Sequence, residues 1–440
     1  NGVALAKTQN YVTAFKEWST EFFYDAGNSP GSPLGTVLNG FTLIGCASGS
    51  SLATVSGDPS SPAASLFWIS QTKERGRGVY KMVGIDQTAI STPDVERVLG
   101  RSDLSEVFGL GLRISGHTFY IVTLTDITTT LVYDATVGQW AQWSFLTANA
   151  SPVTIDFIAR SQDIATVVTH VAHGLSDGSA VTIAGVDQSD YNGNVQISVV
   201  DTTTFRYRVT GSPTTPATGY TLGSSKSVSA LSRTSTTATA TVTTHGYSTG
   251  NLVLIAGATQ TDYNGYFRIT VTGADTFTYT VANSPTTPAT GTITAKLATS
   301  TMTVDGFTES YFPFVGYTNA SGRDLLLHET NGSVYEIDET VFSDDGVPIS
   351  VLLRTGKIDG GSTKAKTEGR CEIIGNKIDE TLMIRHSDDD YQTNSPYRIV
   401  NLDAERSQIW RQGRFRRRSY ELKYLADNSL QISELELDVE

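Results

Sequence analysis

Two histidines in this 440-residue chain recur at a spacing that invites comparison with a metal site. His173 and His245 stand at matching positions of two similar segments, and a glycine follows each of them. A pair of imidazoles can hold a metal ion, but neither segment offers a second ligand at metal spacing. A His-Gly pair also suits a tight chain reversal. The sequence therefore favours a turn at each histidine and predicts no metal site.

The motif Asp-Tyr-Asn-Gly begins at Asp190 and again at Asp262. An aromatic ring beside amide and carboxylate groups would suit a sugar-binding tip, whereas Asn-Gly is a strong signal for a type I′ hairpin turn. The turn is favoured, and a turn can still present its tyrosine to a partner. The candidate surface recognition tips are therefore Tyr191, Asn192, Tyr263 and Asn264.

Three consecutive aspartates, Asp388 to Asp390, lie between two strand-like segments. Carboxylates in series could bind Ca²⁺, which prefers oxygen ligands. The favoured alternative is the solvated tip of a hairpin. No nucleophile elbow, phosphate-binding loop or paired-histidine zinc helix accompanies them, so we expect neither an enzyme nor a cofactor.

The densest basic run extends from Trp410 to Arg418. Strand alternation predicts one face with Arg414, Arg416 and Arg418 and another with Phe415 and Arg417. The run would contact an acidic surface of another subunit or DNA phosphate, or it would be a solvated edge strand whose charges prevent aggregation. The candidate subunit-interface residues are Trp410, Arg414, Arg416, Arg417 and Arg418.

The elements that must position these residues include a repeated segment. Residues 173–219 and 245–291 align without a gap at an offset of about 72. Each copy offers about four short strands, which predicts two small tandem β modules with marginal cores. Their low charge density differs from that of the flanking sequence, so the pair is read as an insertion.

The flanks read as strands joined by short turns, with one short helix expected where Thr92 precedes Pro93. Units of about 40 to 50 residues fit four-stranded propeller blades, although a β-sandwich would give similar spacing. The predicted fold is all-β, with a β-propeller-like body, inserted tandem modules and a C-terminal β-sandwich-like region. The predicted domains are propeller residues 1–159, module 160–228, module 229–300, propeller residues 301–345 and sandwich residues 346–440.

The formal charge of −13 argues against a general nucleic-acid coat, but an acidic lumen would let DNA slide without sticking. Only Cys46 and Cys371 are present, so no disulfide framework is expected. No apolar run is long enough to predict a membrane span. Because the chain begins with Asn1 and not Met, we expect an N-terminal portion to be missing or cleaved.

The flanks carry a series of motifs in a specific order. They are Ser19–Gly27, Gly78–Tyr80, Ile90–Thr92 with Val95–Arg97, Gly116–Tyr120, Val132–Thr136 with Trp140, Phe342–Pro348, Trp410 with Arg416–Leu422, and Leu435–Val439. In these motifs the chain resembles the tail nozzle proteins of short-tailed bacteriophages, also called packaged-DNA stabilisation proteins or tail tubular protein B. The resemblance covers roughly residues 10–145 and 305–440.

The resemblance implies a structural virion protein, assembled in the host cytoplasm, whose β-propellers form a homo-hexameric ring. The ring would extend and close the DNA channel of the tail, contacting an adaptor ring, tail fibres or a needle while genomic DNA passes without sequence-specific binding. The inserted modules depart from the simplest family members, and gating, fibre anchoring and contact with the host surface remain open for them.

Two other functions are considered. The alternative to a nozzle is a cell-surface glycan-binding β protein that acts through the Tyr-Asn-Gly tips. A glycan-degrading propeller enzyme would need paired carboxylates in a central pocket, and the sequence offers no pair that can be named.

Overall fold

A computed structural model describes residues 2–27, 31–56, 64–426 and 428–439, which fold almost entirely into antiparallel strands. They form two compact units, residues 1–147 with 308–350, and residues 148–307 with 351–440. Within the described residues the single α-helix is Pro93–Leu99. As predicted, it follows an N-cap at Thr92, whose hydroxyl accepts a hydrogen bond from the Val95 amide.

The first unit contains four consecutive up-and-down sheets, here called blades 1 to 4. Blade 1 consists of Gly2–Thr8, Tyr11–Lys16, Thr20–Asp25 and Leu34–Thr42. Blade 2 consists of Gly45–Cys46, Ala53–Val55, Ser65–Thr72, Gly76–Val83 and Asp86–Ala89. Blade 3 consists of Val107–Ile114, His117–Leu124, Thr129–Asp134 and Gln139–Ala148. Blade 4 consists of Phe314–Ala320, Arg323–His328 and Val334–Glu336.

Consecutive blades share hydrophobic cores. Phe15 of blade 1 packs near Trp68 of blade 2, with ring centroids 5.1 Å apart. Phe67 of blade 2 stacks on Tyr120 of blade 3, and Trp143 of blade 3 meets Phe312 just before blade 4. These aromatic contacts bury large areas between neighbouring sheets, so the blades pack in chain order even though the modules separate blade 3 from blade 4 in sequence.

The second unit contains the two modules. Module 1 has strands Val153–Ser161, Ile164–Thr169, Ala180–Ala184, Gly193–Gln196, Ser198–Val199 and Thr204–Arg208. Module 2 has strands Ala230–Thr234, Thr237–Thr241, Leu252–Ala258, Gly265–Arg268, Thr270–Gly273, Thr276–Thr280 and Gly291–Ser300, and the connecting strands Tyr220–Leu222 and Lys226–Ser227 join its sheet. Each module has its own buried core.

The closing strand of module 1 comes from beyond module 2. In module 2, Ile255 pairs with Ala295 of the strand that follows its own Pro-rich segment. The corresponding Ile183 of module 1 pairs instead with Val304, in strand Thr303–Tyr311. Module 2 is thus nested inside module 1, which differs from the simple tandem order of 160–228 and 229–300 expected from the repeat.

The C-terminal region forms two sheets of the sandwich-like type. One contains, in spatial order, Val347–Arg354, Ser419–Ala426, Thr381–Ser387 and Arg398–Asn401, and its first strand also pairs with Ser343–Asp344. The other contains Ser407–Phe415, Lys366–Gly375 and Ile432–Val439. The predicted all-β class with a sandwich-like C-terminal region is confirmed.

Candidate interaction surfaces

The Tyr-Asn-Gly segments do not present their tyrosines to solvent. Tyr191 and Tyr263 are fully buried, and their hydroxyls donate to the Thr214 and Thr286 carbonyls at 3.1 Å and 3.3 Å. The prediction of aromatic recognition tips is therefore wrong. A tyrosine can sit in a core when its hydroxyl finds a backbone acceptor, and this motif provides one in each copy.

The asparagines of these segments act as backbone clamps. The Asn192 side-chain amide donates to the Val186 carbonyl at 2.7 Å and accepts from the Val186 amide at 3.0 Å. Asn264 makes the same two bonds with Ala258, at 2.8 Å and 2.9 Å. Each asparagine side chain thereby bonds both backbone groups of one residue, as a neighbouring strand would, and closes the loop between them.

The expected type I′ turn is absent from both segments. Asn192 and Asn264 have φ of −84° and −87°, whereas a type I′ turn requires positive φ at both central residues. A short 3-10 turn, Ser189–Tyr191 or Thr261–Tyr263, precedes each asparagine instead. The clamp holds the asparagine extended, and this outweighs the local preference of Asn-Gly.

Both ring nitrogens of each recurring histidine are engaged. His173 Nδ1 accepts from the Leu175 amide at 3.0 Å, so Nε2 carries the proton and donates to the Asp201 carbonyl at 3.0 Å. His245 bonds in the same way to the Tyr247 amide and the Gly273 carbonyl. The turn interpretation therefore accounts for both histidines. Among the described residues, no group of three His, Cys, Asp or Glu side chains is placed to hold a metal.

Each aspartate of the acidic run binds a group of its own sheet region. Asp388 pairs with Arg418, and Asp390 pairs with Arg417. Asp389 accepts from the Thr393 hydroxyl and amide and from Ser387, and these bonds lower its pKa to about 2. The run is therefore the hydrogen-bonded hairpin tip that the sequence favoured, and its carboxylates point to different partners.

The basic run does not continue as a strand. Its strand ends at Phe415, residues 416 and 417 form a bend, and Arg418 bridges to Ile358. Earlier in the run, Arg411 and Gln412 together oppose the single residue Gly369, which makes a β-bulge. The bulge and the bend reset the alternation, so the predicted two-faced arrangement of the arginines is wrong.

Arg418 is an internal residue, and its assignment to an exposed interface is a further correction. Its side chain is 2% exposed and binds Asp388 through two nitrogens, at 2.7 Å and 2.9 Å. It also donates to Glu368 at 2.9 Å and lies over the Phe415 ring. Burial would lower the pKa of Arg418, but the bonds to Asp388 and Glu368 outweigh it and raise the pKa.

Glu368 is a buried carboxylate that sequence reasoning did not single out. It accepts from the Tyr420 hydroxyl and from Arg418. Burial raises its pKa, and these two bonds only partly offset that effect. A second buried carboxylate, Glu421, accepts from the Tyr397 hydroxyl and pairs with Arg354 and Arg385. The sequence signal that could have identified Glu368 and Glu421 is the presence of an acidic residue within a strand-like segment.

Five other side chains of the basic run are exposed and are here called the Arg–Trp surface: Trp410, Arg411, Arg414, Arg416 and Arg417. Trp410 is 55% exposed. Arg417 pairs with Asp390, and within the described part of the chain Arg411, Arg414 and Arg416 form no ion pair. Four of the predicted interface residues are thus exposed, and Arg411 is exposed beside them in sequence.

Apolar side chains are also exposed on blade 1 and directly after its last strand. Leu5, Leu38, Phe41 and Leu43 are each more than half exposed. Clusters of exposed apolar groups on a soluble protein commonly mark interaction sites. None of these residues was singled out from the sequence.

The comparison with known families concerns the blades. Residues 1–166 match the family model described as bacteriophage P22 Gp10, β-propeller.

The chain resembles the phage stabilisation family. The matched residues include blades 1 to 3, so the β-propeller-like body expected for this region is confirmed. The resemblance expected from the motifs between residues 10 and 145 is confirmed as well, whereas the match does not reach residues 305–440. No curated protein matches the chain.

Solved structures give only weak likenesses. An exo-β-1,3-galactanase from Phanerochaete chrysosporium is 8% identical, with 99% of this chain and 94% of that chain covered and a TM-score of 0.18. A fructofuranosidase from Schwanniomyces occidentalis is 7% identical, with 100% and 96% covered and a TM-score of 0.17. Such low TM-scores carry no argument about fold or activity. No helix among the described residues is long and apolar enough to cross a membrane.

Proposed function

We propose that this chain is a subunit of the tail nozzle ring of a short-tailed phage. The ring extends and closes the DNA channel, retains packaged DNA and passes it on ejection. The observation that carries the proposal is the family match over residues 1–166, which coincides with three stacked blades. The subunit acts as a homo-hexamer in the virion, after assembly in the host cytoplasm.

Electrostatics supports a conduit rather than a DNA-binding coat. The chain carries a formal charge of −13, and a surface of that sign repels phosphate. DNA passes such a bore without sequence-specific contacts, and few arginines bind its phosphates and slow it. Closure before infection is then steric and rests on loops at the tip of the ring.

The internal chemistry of the chain also fits a structural role. The recurring histidines, the acidic run and the buried Glu368 all bind groups of their own sheets. These contacts stabilise turns and strands of the fold. The adaptor ring and the tail fibres or needle are the partners that the family resemblance suggests.

Electron microscopy of particles that carry the chain tests the proposal. The expected result is density for six copies around a central pore at the distal end of the tail, and particles assembled without the chain should lose DNA to added nuclease. Location of the chain elsewhere in the particle, with DNA fully protected in its absence, would overturn the proposal.

A further inference from the structure

The Arg–Trp surface is charged, exposed and held in place. Arg411 and Arg414 are exposed residues of a strand whose Gln412 and Phe415 are buried, so the bulge and the core fix their backbone positions, and the exposed Arg416 follows in the bend. The buried Arg418 anchors the following bend. Arginine and tryptophan are enriched at the centres of protein interfaces, and uncompensated arginines attract an acidic partner.

The same chain carries a segment of opposite charge. Residues 308–350, which include blade 4, contain eight carboxylates and one arginine, Arg323, which gives a formal charge of −7. Within the described part of this segment, Glu336 pairs with Arg323, and Glu309, Asp338 and Asp345 are exposed without an ion-pair partner. This carboxylate excess requires a basic partner if it is to be buried.

We propose that the Arg–Trp surface of one copy binds the acidic segment 308–350 of a second copy. This inference rests on the proposed function in that it names a contact of the ring. The two patches are different surfaces, so the contact is head-to-tail, and a head-to-tail contact closes into a ring when its rotation allows. A second copy is favoured over DNA because an acidic protein repels DNA at long range, whereas every copy supplies the complementary charge.

Charge reversal tests the contact. The double substitution Arg414→Glu with Arg416→Glu should weaken self-association by about tenfold or more, measured by analytical ultracentrifugation and native mass spectrometry. The matched control is Arg75→Glu with Arg101→Glu, which changes the charge equally at two other exposed arginines and should associate like the wild type. Unchanged circular dichroism and unfolding temperature would show that the reversed variant is folded.

A charge swap identifies the partner. Glu309→Lys with Asp338→Lys should also fail to assemble alone, whereas an equimolar mixture with the arginine-reversed variant should regain assembly, because each altered patch then meets an altered complement. A mixture that stays unassembled contradicts the proposal, and so does a wild-type chain that remains monomeric at its highest soluble concentration.

Two further outcomes separate this contact from other possibilities. If the arginine-reversed variant loses affinity for a DNA duplex but associates normally, the surface binds nucleic acid and the proposal is overturned. If the variant still forms pored rings in the particle, the proposed nozzle function stands and only the contact is wrong.

Discussion

The ring of Tyr397, in the C-terminal region, lies directly against the α-carbon of Gly178 in module 1, so closely that a β-carbon at position 178 would overlap the ring. Around this contact the Tyr397 amide donates to Asp177 at 2.7 Å, and Lys423 donates to the Gly178 carbonyl at 3.1 Å. Arg208 of the module pairs with Asp379 at 2.6 Å. Module 1 is therefore docked on the C-terminal sheets by packing, hydrogen bonds and charge together.

Module 2 supplies a control for this docking. Gly250 corresponds to Gly178, and both residues have positive φ, of 90° and 77°, but a β-carbon at Gly250 would meet nothing within 4 Å. Both Gly→Ala substitutions should cost about 1 kcal/mol for the backbone strain, and Gly178→Ala should cost about 1–3 kcal/mol more through overpacking. Chemical denaturation measures the difference, and equal effects would mean that the contact with Tyr397 contributes nothing.

Arg418 and Arg417 are neighbours in sequence, but we expect only Arg418 to contribute strongly to the stability of the fold. Arg418→Ala leaves Glu368 buried without its cation, which should reduce the free energy of unfolding by about 3–5 kcal/mol. Arg417→Ala removes only an exposed pair with Asp390 and should change it by less than about 1 kcal/mol. Urea unfolding of the two variants measures these changes. A similar loss of unfolding free energy in both variants would show that the buried ion pairs of Arg418 do not stabilise the fold.

The buried carboxyl group of Asp344 should make the free energy of unfolding rise as the pH falls. Burial raises its pKa to about 6, above the value in the unfolded chain, so the folded state binds the proton more tightly between about pH 6 and pH 4. Asp344→Asn should therefore stabilise the protein at pH 8 by about 1 kcal/mol, after allowance for its partial exposure. The gain should vanish near pH 4. Thermal unfolding across this range checks the sign, and the exposed neighbour Asp345→Asn serves as the control.

The asparagine clamps give a graded prediction. Asn264→Ala loses both bonds to Ala258, whereas Asn264→Asp keeps the oxygen that accepts from the Ala258 amide but turns a second, charged oxygen toward the Ala258 carbonyl. Ala should cost about 1 kcal/mol for each of the two bonds lost, and Asp should cost about 1 kcal/mol for one bond together with the repulsion between the two oxygens. Amide exchange at Ala258 should accelerate more in the Ala variant, because only the Asp variant keeps an acceptor for this amide, and the reverse order would contradict the clamp.

Local patterns in the sequence were sufficient to predict much of the fold. Apolar alternation predicted the strands of the blades, the helix cap at Thr92 predicted the helix, and the His-Gly turns were anticipated from local chemistry. The Tyr-Asn-Gly segments misled because the burial of Tyr191 depends on a carbonyl of Thr214, 23 residues away. Propensity at the turn carries no information about that partner.

Two other features lie beyond local pattern. The bulge at Arg411 is decided by its pairing with Gly369 on another strand, so the alternation of the basic run alone led to the wrong face for Arg418. The nesting of module 2 is decided by whether Ile183 pairs with the segment that follows its own copy or with Val304. The aligned copies, residues 173–219 and 245–291, both end before this strand, so the repeat by itself carries no information about the pairing.

The nested strand order also sets a schedule for synthesis. The edge of module 1 at Ala180–Ala184 stays without its final neighbour until Val304 leaves the ribosome, roughly a hundred residues after the module's own last strand, or about 5–20 s at ordinary elongation rates. During that interval an unpaired edge is exposed to other nascent chains. The Thr301 amide then donates to the Gly219 carbonyl at 2.9 Å, which brings the two ends of the insert together. A graft that joins residue 219 directly to residue 301 would therefore convert a delayed closure into an immediate one and yield a single-module chain.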